Sequence, residues 1–95
     1  MAAYLIAEID ITDPAAYEEY RQRVPGVIAK YGGKYIVRGG SVQPLEGGWS
    51  PKRLALLEFP SMEQALKWYR SPEYAPLIKL RQKASKARLT LVEGL

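Results

Sequence analysis

Lys30-Tyr-Gly-Gly-Lys-Tyr-Ile-Val-Arg-Gly-Gly40 is followed by Leu45-Glu-Gly-Gly-Trp-Ser-Pro-Lys-Arg53 and then by Leu54-Ala-Leu-Leu-Glu-Phe-Pro-Ser61. Two glycine pairs bracket a short apolar segment, and a third lies in a turn just before a second one. Glycine adopts backbone angles that other residues avoid, so each pair lets the chain change direction. Lys34 to Arg38 therefore reads as a strand, with Gly39-Gly40 allowing a bend or bulge at its end. Ser41 to Leu45 can continue in extended form, Glu46 to Lys52 reads as a turn, and Arg53 to Phe59 as the next strand. The link is too short for a crossover, so these strands are expected to be antiparallel neighbours.

Upstream, Tyr4 to Ile11 alternates, with Leu5, Ala7, Ile9 and Ile11 on one face and Tyr4, Ile6, Glu8 and Asp10 on the other. Asp13-Pro14 is a helix start, since aspartate caps and proline suits the first helical position. Tyr17, Tyr20, Val24, Val27, Ile28 and Tyr31 form an apolar stripe at helical spacing. Pro25 interrupts it and predicts a kink or a split, and Gly32-Gly33 ends it. Downstream, Ser61-Met-Glu-Gln64 matches a capping box. The helix it opens runs to about Arg70 and buries Met62, Ala65, Leu66 and Tyr69. Ser71-Pro72 restarts a helix that runs to about Lys83, and Leu89 to Glu93 alternates as a last strand.

The order βαββαβ, with the right-handed crossover rule, predicts an α+β, ferredoxin-like fold over residues 1–95 as a single domain. Its antiparallel sheet carries both helices on one face. The strands are nevertheless apolar on both faces: Tyr4 and Ile6 as well as Leu5 and Ala7, Leu54 and Leu56 as well as Leu57 and Phe59. A bare apolar face is most simply covered by a second copy, which predicts a homodimer through the open face of the sheet.

Composition excludes much chemistry. The chain has no cysteine and no histidine, which removes disulfides, thiol nucleophiles, histidine triads and histidine-ligated metals. No cofactor or metal is expected, and haem could be ligated only by tyrosine. The glycine pairs form no dinucleotide or phosphate-loop fingerprint. No basic leader or long apolar run is visible, so a cytoplasmic protein without a membrane partner is expected. The net charge of +4 concentrates late, with seven basic residues against Glu73 between Lys67 and Arg88. Lys79, Lys83 and Lys86 share one side of a helix, the pattern of a solvated face. The βαββαβ order also suits an RNA-recognition module, but Arg53-Leu-Ala-Leu-Leu-Glu-Phe59 lacks the aromatic context such a module needs, so no nucleic-acid partner is expected.

Candidate site residues are charged groups near apolar surface. Arg38 closes the second strand, Glu46 precedes Gly47-Gly48, and Arg53 opens the third strand. Glu46 and Arg53 can meet across the turn, either in an anion-binding corner or, as more commonly occurs, in an ion pair that pins the hairpin. Arg81 lies beside the apolar stripe of the second helix, where it either reaches into a cleft or snorkels outward. Tyr69 and Tyr74 flank the Ser71-Pro72 break and can line or pack the same cleft, with Trp68 beside them. Asp10, Glu8 and Glu58 are carboxylates on strand faces. Burial would raise their pKa and suit Asp10 and Glu58 to acid–base work.

Across nearly the whole chain the sequence resembles the domain-of-unknown-function 1330 family, within the dimeric α/β-barrel superfamily. The resemblance rests on Tyr4-Leu-Ile-Ala7, Ile11-Thr-Asp-Pro14, Tyr31-Gly-Gly-Lys34, Val37-Arg-Gly-Gly40, Leu45-Glu-Gly47, Pro51-Lys-Arg53, Glu58-Phe-Pro-Ser61, Trp68-Tyr-Arg-Ser-Pro-Glu-Tyr-Ala75 and Arg81. It implies two ferredoxin-like protomers packed sheet to sheet. The superfamily includes cofactor-free oxygenases, haem-degrading enzymes, lactone isomerases and stress-induced proteins, so membership does not decide function. Three expectations follow. The first is a homodimer that binds a small anionic or aromatic molecule between helices and sheet, using Arg38, Arg53 and Arg81 for charge and Trp68, Tyr69 and Tyr74 as walls. The second is a cofactor-independent oxygenase or isomerase that uses a tyrosine or a buried carboxylate. The third is a non-catalytic dimeric structural or interaction protein.

Overall fold

The computed structural model describes residues 1–95. Strand β1 (Ala3–Ile11) leads into helix α1 (Pro14–Lys30), strands β2 (Lys34–Arg38) and β3 (Leu54–Phe59), helices α2 (Met62–Tyr69) and α3 (Ala75–Ala84), and strand β4 (Ser85–Glu93). The sheet order is β2-β3-β1-β4 with every pairing antiparallel. This is the ferredoxin-like α+β arrangement. The Cα extents of 35 × 33 × 16 Å describe a slab two layers thick, helices on one side and bare sheet on the other.

Register explains which residues face the helices. Leu5 lies opposite Leu57 and Leu91, and Ala7 opposite Ala55 and Leu89. These pairs stack under Tyr20, Val24 and Ile28 of α1, Trp68 of α2, and Tyr74 and Leu77 at α3. Trp68 stacks on Tyr74 with centroids 4.2 Å apart and lies tilted against Phe59 at 5.3 Å. Such pairs add about 0.5–1.5 kcal/mol beyond area burial. The inward residues of α2 are Ala65 and Trp68, while Met62, Leu66 and Tyr69 are only half-buried. The largest ring dominates that face, a shift of the predicted stripe by one helical step.

Local signals hold where they have a partner. Asp13 Oδ1 accepts from the Ala16 amide at 3.2 Å, and Ser61 Oγ accepts from the Gln64 amide at 3.1 Å. Ser71 Oγ accepts from the Tyr74 amide and so holds the link between α2 and α3. Gly32, at φ +82°, ends α1, and the Gly32 and Gly33 amides donate to Ala29 and Ile28 carbonyls. β4 starts at Ser85, four residues before the alternation at Leu89 suggests, because α3 passes into it without a loop and Ser85 Oγ donates to the Arg81 carbonyl at 2.7 Å.

Pro25 does not split α1. A proline removes the N–H that would serve the carbonyl four residues back, here Arg21, at a cost of about 3 kcal/mol in a helix interior. Arg38 supplies the missing donor: its Nη2 lies 2.8 Å from the Arg21 carbonyl oxygen. Arg38 reaches α1 because β2 is irregular. Tyr35 pairs with Leu57, but Val37 pairs with Leu56, so Ile36 is bulged out. The bulge reverses the alternation, and Arg38 joins Tyr35 on the helix side opposite Ala55.

A second clamp joins the end of α1 to the α2–α3 link. Glu73 receives Lys30 and, at 2.8 Å, the Tyr31 hydroxyl. Lys30 and Tyr31 together hold its carboxyl down at about 2, from the usual 4.5. A depressed folded-state pKa contributes stability that is present above the unfolded value and lost as pH falls through the folded one. Urea unfolding followed between about pH 5 and pH 2 is expected to show this loss. In Glu73→Gln that share of the acid sensitivity disappears, and stability near neutral pH is lower than in the native chain.

Candidate functional site

Helix side and sheet meet around a small cavity lined by Leu5, Ala7, Tyr17, Tyr20, Trp68 and Tyr74, with Arg21, Arg38, Arg53 and Arg81 at its depth and rim. No aspartate or glutamate lines it. Its volume of about 20 Å³ is room for one or two waters. Anything larger enters by displacing side chains, and Arg21 and Arg38 are the exposed ones among the lining arginines.

Arg81 is 4% exposed, the one charged side chain in the core. Helix α3 carries it inward with Leu77 and Ala84, one turn spaced on either side. Burial lowers its affinity for its proton, but the Tyr74 and Tyr20 hydroxyls beside it outweigh that and keep it charged. Tyr20 and Tyr74 share a hydrogen bond of 2.7 Å. Burial pushes the Tyr20 hydroxyl far above its ordinary value, and the neighbouring Tyr74 adds to the shift. Burial also raises Tyr74, against the pull of Tyr20 and Arg81. Burial pushes Tyr35 up to about 12 although Arg38 pulls the other way. All three are neutral phenols at pH 7, and none is a ready base.

Three buried side-chain polar atoms have no partner: Arg53 Nε, Trp68 Nε1 and Arg81 Nε. All three belong to residues that line this cavity, and all three are donors. Buried donors without acceptors are uncommon, and each costs on the order of 1–3 kcal/mol. Here they are gathered around one cavity.

Arg53 reaches the cavity through a gap in the backbone. Its guanidinium lies over the Tyr17 ring, 5.7 Å from the centroid, and against Gly39 at φ +72°. A Cβ at Gly39 would collide with that guanidinium. Arg38 lies 4.7 Å over the Tyr35 ring while it serves Arg21.

The structure thus brings Arg38, Arg53, Trp68, Tyr74 and Arg81 around one cavity. Tyr69 is behind its wall, packed edge-on against Tyr74 at 5.9 Å. Glu46 is exposed in the loop over the other face of the sheet and forms no ion pair with Arg53. Asp10 and Glu58 also point to that other face. Asp10 pairs with Lys52 at 3.5 Å, and Glu58 with Lys34 at 3.3 Å and with the Tyr4 hydroxyl at 3.2 Å. Neither carboxylate reaches the cavity, because strand alternation sends them away from it. Tyr17, Tyr20, Tyr35 and Arg21 also line it. Tyr17 and Tyr20 were visible as stripe residues of α1; the bulge that turns Tyr35 and Arg38 to the same side left no local signal.

Gly39→Ala is expected to lower stability by about 1–2 kcal/mol, because the left-handed backbone disfavours a side chain and Arg53 must move. Gly40→Ala, with open space around it, is expected to change little. Thermal unfolding of the two variants beside the native chain reads the difference.

The model of a domain of unknown function, DUF1330, matches residues 2–95. No curated protein matches the chain. Among solved structures, a protein of unknown function from Rhodopseudomonas palustris, RPA0582, is similar at 21% identity and a TM-score of 0.79, over 99% of this chain and 82% of that one. SnoaB, a cofactor-independent oxygenase from Streptomyces nogalater, is similar in fold at 11% identity and a TM-score of 0.68, over 99% and 93% of the two chains. So is a putative antibiotic biosynthesis monooxygenase from Nitrosomonas europaea, at 14% identity and a TM-score of 0.64, over 100% and 99%. At these identities the structural likenesses speak for the fold alone. With nearly its whole length matched by the family model, this chain belongs to the DUF1330 family.

Proposed function

We propose that this is a homodimeric protein that binds a small, flat or aromatic anion in the cavity between helices and sheet. The observation that carries the reading is Arg81, buried and charged with no carboxylate near it. A core that served only packing would gain by replacing such a group with an apolar one. Trp68, Tyr17 and Tyr20 supply ring surfaces, and Arg53 adds a second cation.

The near-closed cavity supports a structural role in so far as it is small, but its unpartnered donors favour a ligand. An oxygenase reading draws support from the fold shared with SnoaB. Guanidinium and phenol donors would hold an enolate as well as a carboxylate. Acid–base catalysis is the weaker reading, because the lining has no carboxylate and its buried tyrosines hold their protons.

Dimerisation rests on the other face of the sheet. Tyr4, Ile6, Val37, Leu54 and Leu56 form an apolar field there, and the loop before β3 adds Leu45, 88% exposed, and Trp49, 54% exposed. Charged residues flank it, with Arg88 and Trp49 both on Glu8. A self-complementary patch of this kind suits a two-fold interface. Native mass spectrometry is expected to give a dimer, and Ile6→Lys combined with Leu56→Lys a folded monomer. A native chain that stays monomeric at tens of micromolar would remove this part of the reading.

Binding is tested with benzoate in a Trp49→Phe background, where Trp68 alone reports by fluorescence. A saturable change is expected, absent from Arg81→Met. That same variant is expected to melt about 4–8 °C higher for each kcal/mol gained by removing an unpaired charge. No saturable change, or one that persists in Arg81→Met, would sink the anion site.

A further inference from the structure

We infer that the ligand is a dianion, with two acid groups joined by a flat unsaturated or aromatic spacer, one held by Arg81 and the other by Arg53. The inference rests on the anion-binding reading above and goes further in the number and placement of charges.

Four arginines line the cavity, but two are already engaged. Arg21 pairs with Glu18 at 3.3 Å, and Arg38 is committed to the Arg21 carbonyl at 2.8 Å. Both are exposed, so water compensates their charge. Arg53 and Arg81 differ. Each has a buried Nε with no acceptor, and neither forms an ion pair. A single carboxylate on Arg81 would leave Arg53 as it is. Two guanidinium groups without an acid partner, Arg81 buried and Arg53 half-buried with its Nε shut from solvent, suit two negative charges, and an arginine fork matches a carboxylate in shape as well as in sign.

The two cations come from different elements, Arg53 from the start of β3 and Arg81 from α3. Tyrosine rings lead from one to the other. Arg53 lies over Tyr17 at 5.7 Å, Tyr17 lies 5.6 Å from Tyr20, Tyr20 lies 6.4 Å from Tyr74, and Tyr74 adjoins Arg81. An aromatic lining between the two cations suits a flat spacer, and the remaining unpartnered donor, Trp68 Nε1, adds a further contact for an acceptor.

The test uses matched probes that differ by one carboxylate: crotonate against fumarate, and benzoate against terephthalate. Each is titrated by calorimetry at constant ionic strength. In the native protein the dianion of a pair is expected to bind about tenfold tighter or more, the equivalent of about 1.4 kcal/mol. Arg53→Gln should bring it down to the level of its monoanion, and Arg53→Lys should restore part of the preference. Arg81→Met should abolish binding of both. Arg70→Gln, exposed and outside the cavity, should change neither. Circular dichroism of each variant checks that it is folded. Equal binding of monoanion and dianion, lost in Arg81→Met, would overturn the dianion and keep the anion site. A dianion preference that survives Arg53→Gln would overturn the assignment to Arg53. Absence of any Arg81-dependent binding would overturn both readings.

Discussion

A single helical layer on a sheet that is apolar on both sides is the constraint from which the rest follows. α1, α2 and α3 cover the face of Leu5, Ala7, Leu57 and Leu89, and the core, the cavity and its arginines all lie in that layer. The opposite face keeps Ile6, Leu54 and Leu56 with ion pairs around them and no layer of its own. The protein therefore has two regions of unlike character. One is a closed interior with unmet donors, and the other an exposed field that suits a second copy.

The interior carries a cost that packing does not require. Trp68, Tyr74, Phe59 and Leu77 would fill the layer as an ordinary aromatic core. Arg81 enters among them with no acid to neutralise it, and desolvating a charge is expensive unless something of opposite sign or matching hydrogen bonds meets it. Tyr20 and Tyr74 meet part of it as neutral partners. Marginal stability in a 95-residue domain leaves little room for uncompensated groups, and here they are confined to one cavity.

Pro25 and Arg38 show how a local defect and the site are joined. Proline leaves a carbonyl of α1 without its donor, and the guanidinium that serves it stands at the cavity mouth. That position exists only because β2 is bulged at Ile36. One irregular residue in a five-residue strand thus decides whether Arg38 faces the helices or the opposite side.

Much of the fold was legible in the chain itself. Alternation in Tyr4 to Ile11, the caps at Asp13 and Ser61, and the glycine pairs are local signals, and local physics is enough to read them. The apolar residues on both strand faces, and the place of Arg81 beside an apolar helix stripe, were also visible there. What the chain could not show was everything that depends on partners far apart in sequence. The bulge brought Arg38 toward the cavity, and the space over Gly39 admitted Arg53 in place of a pairing with Glu46. Periodicity tells which way a side chain points from its own element. Only the packed tertiary structure decides what it then meets, because burial and unmet hydrogen bonds belong to the assembled layer and not to any one segment.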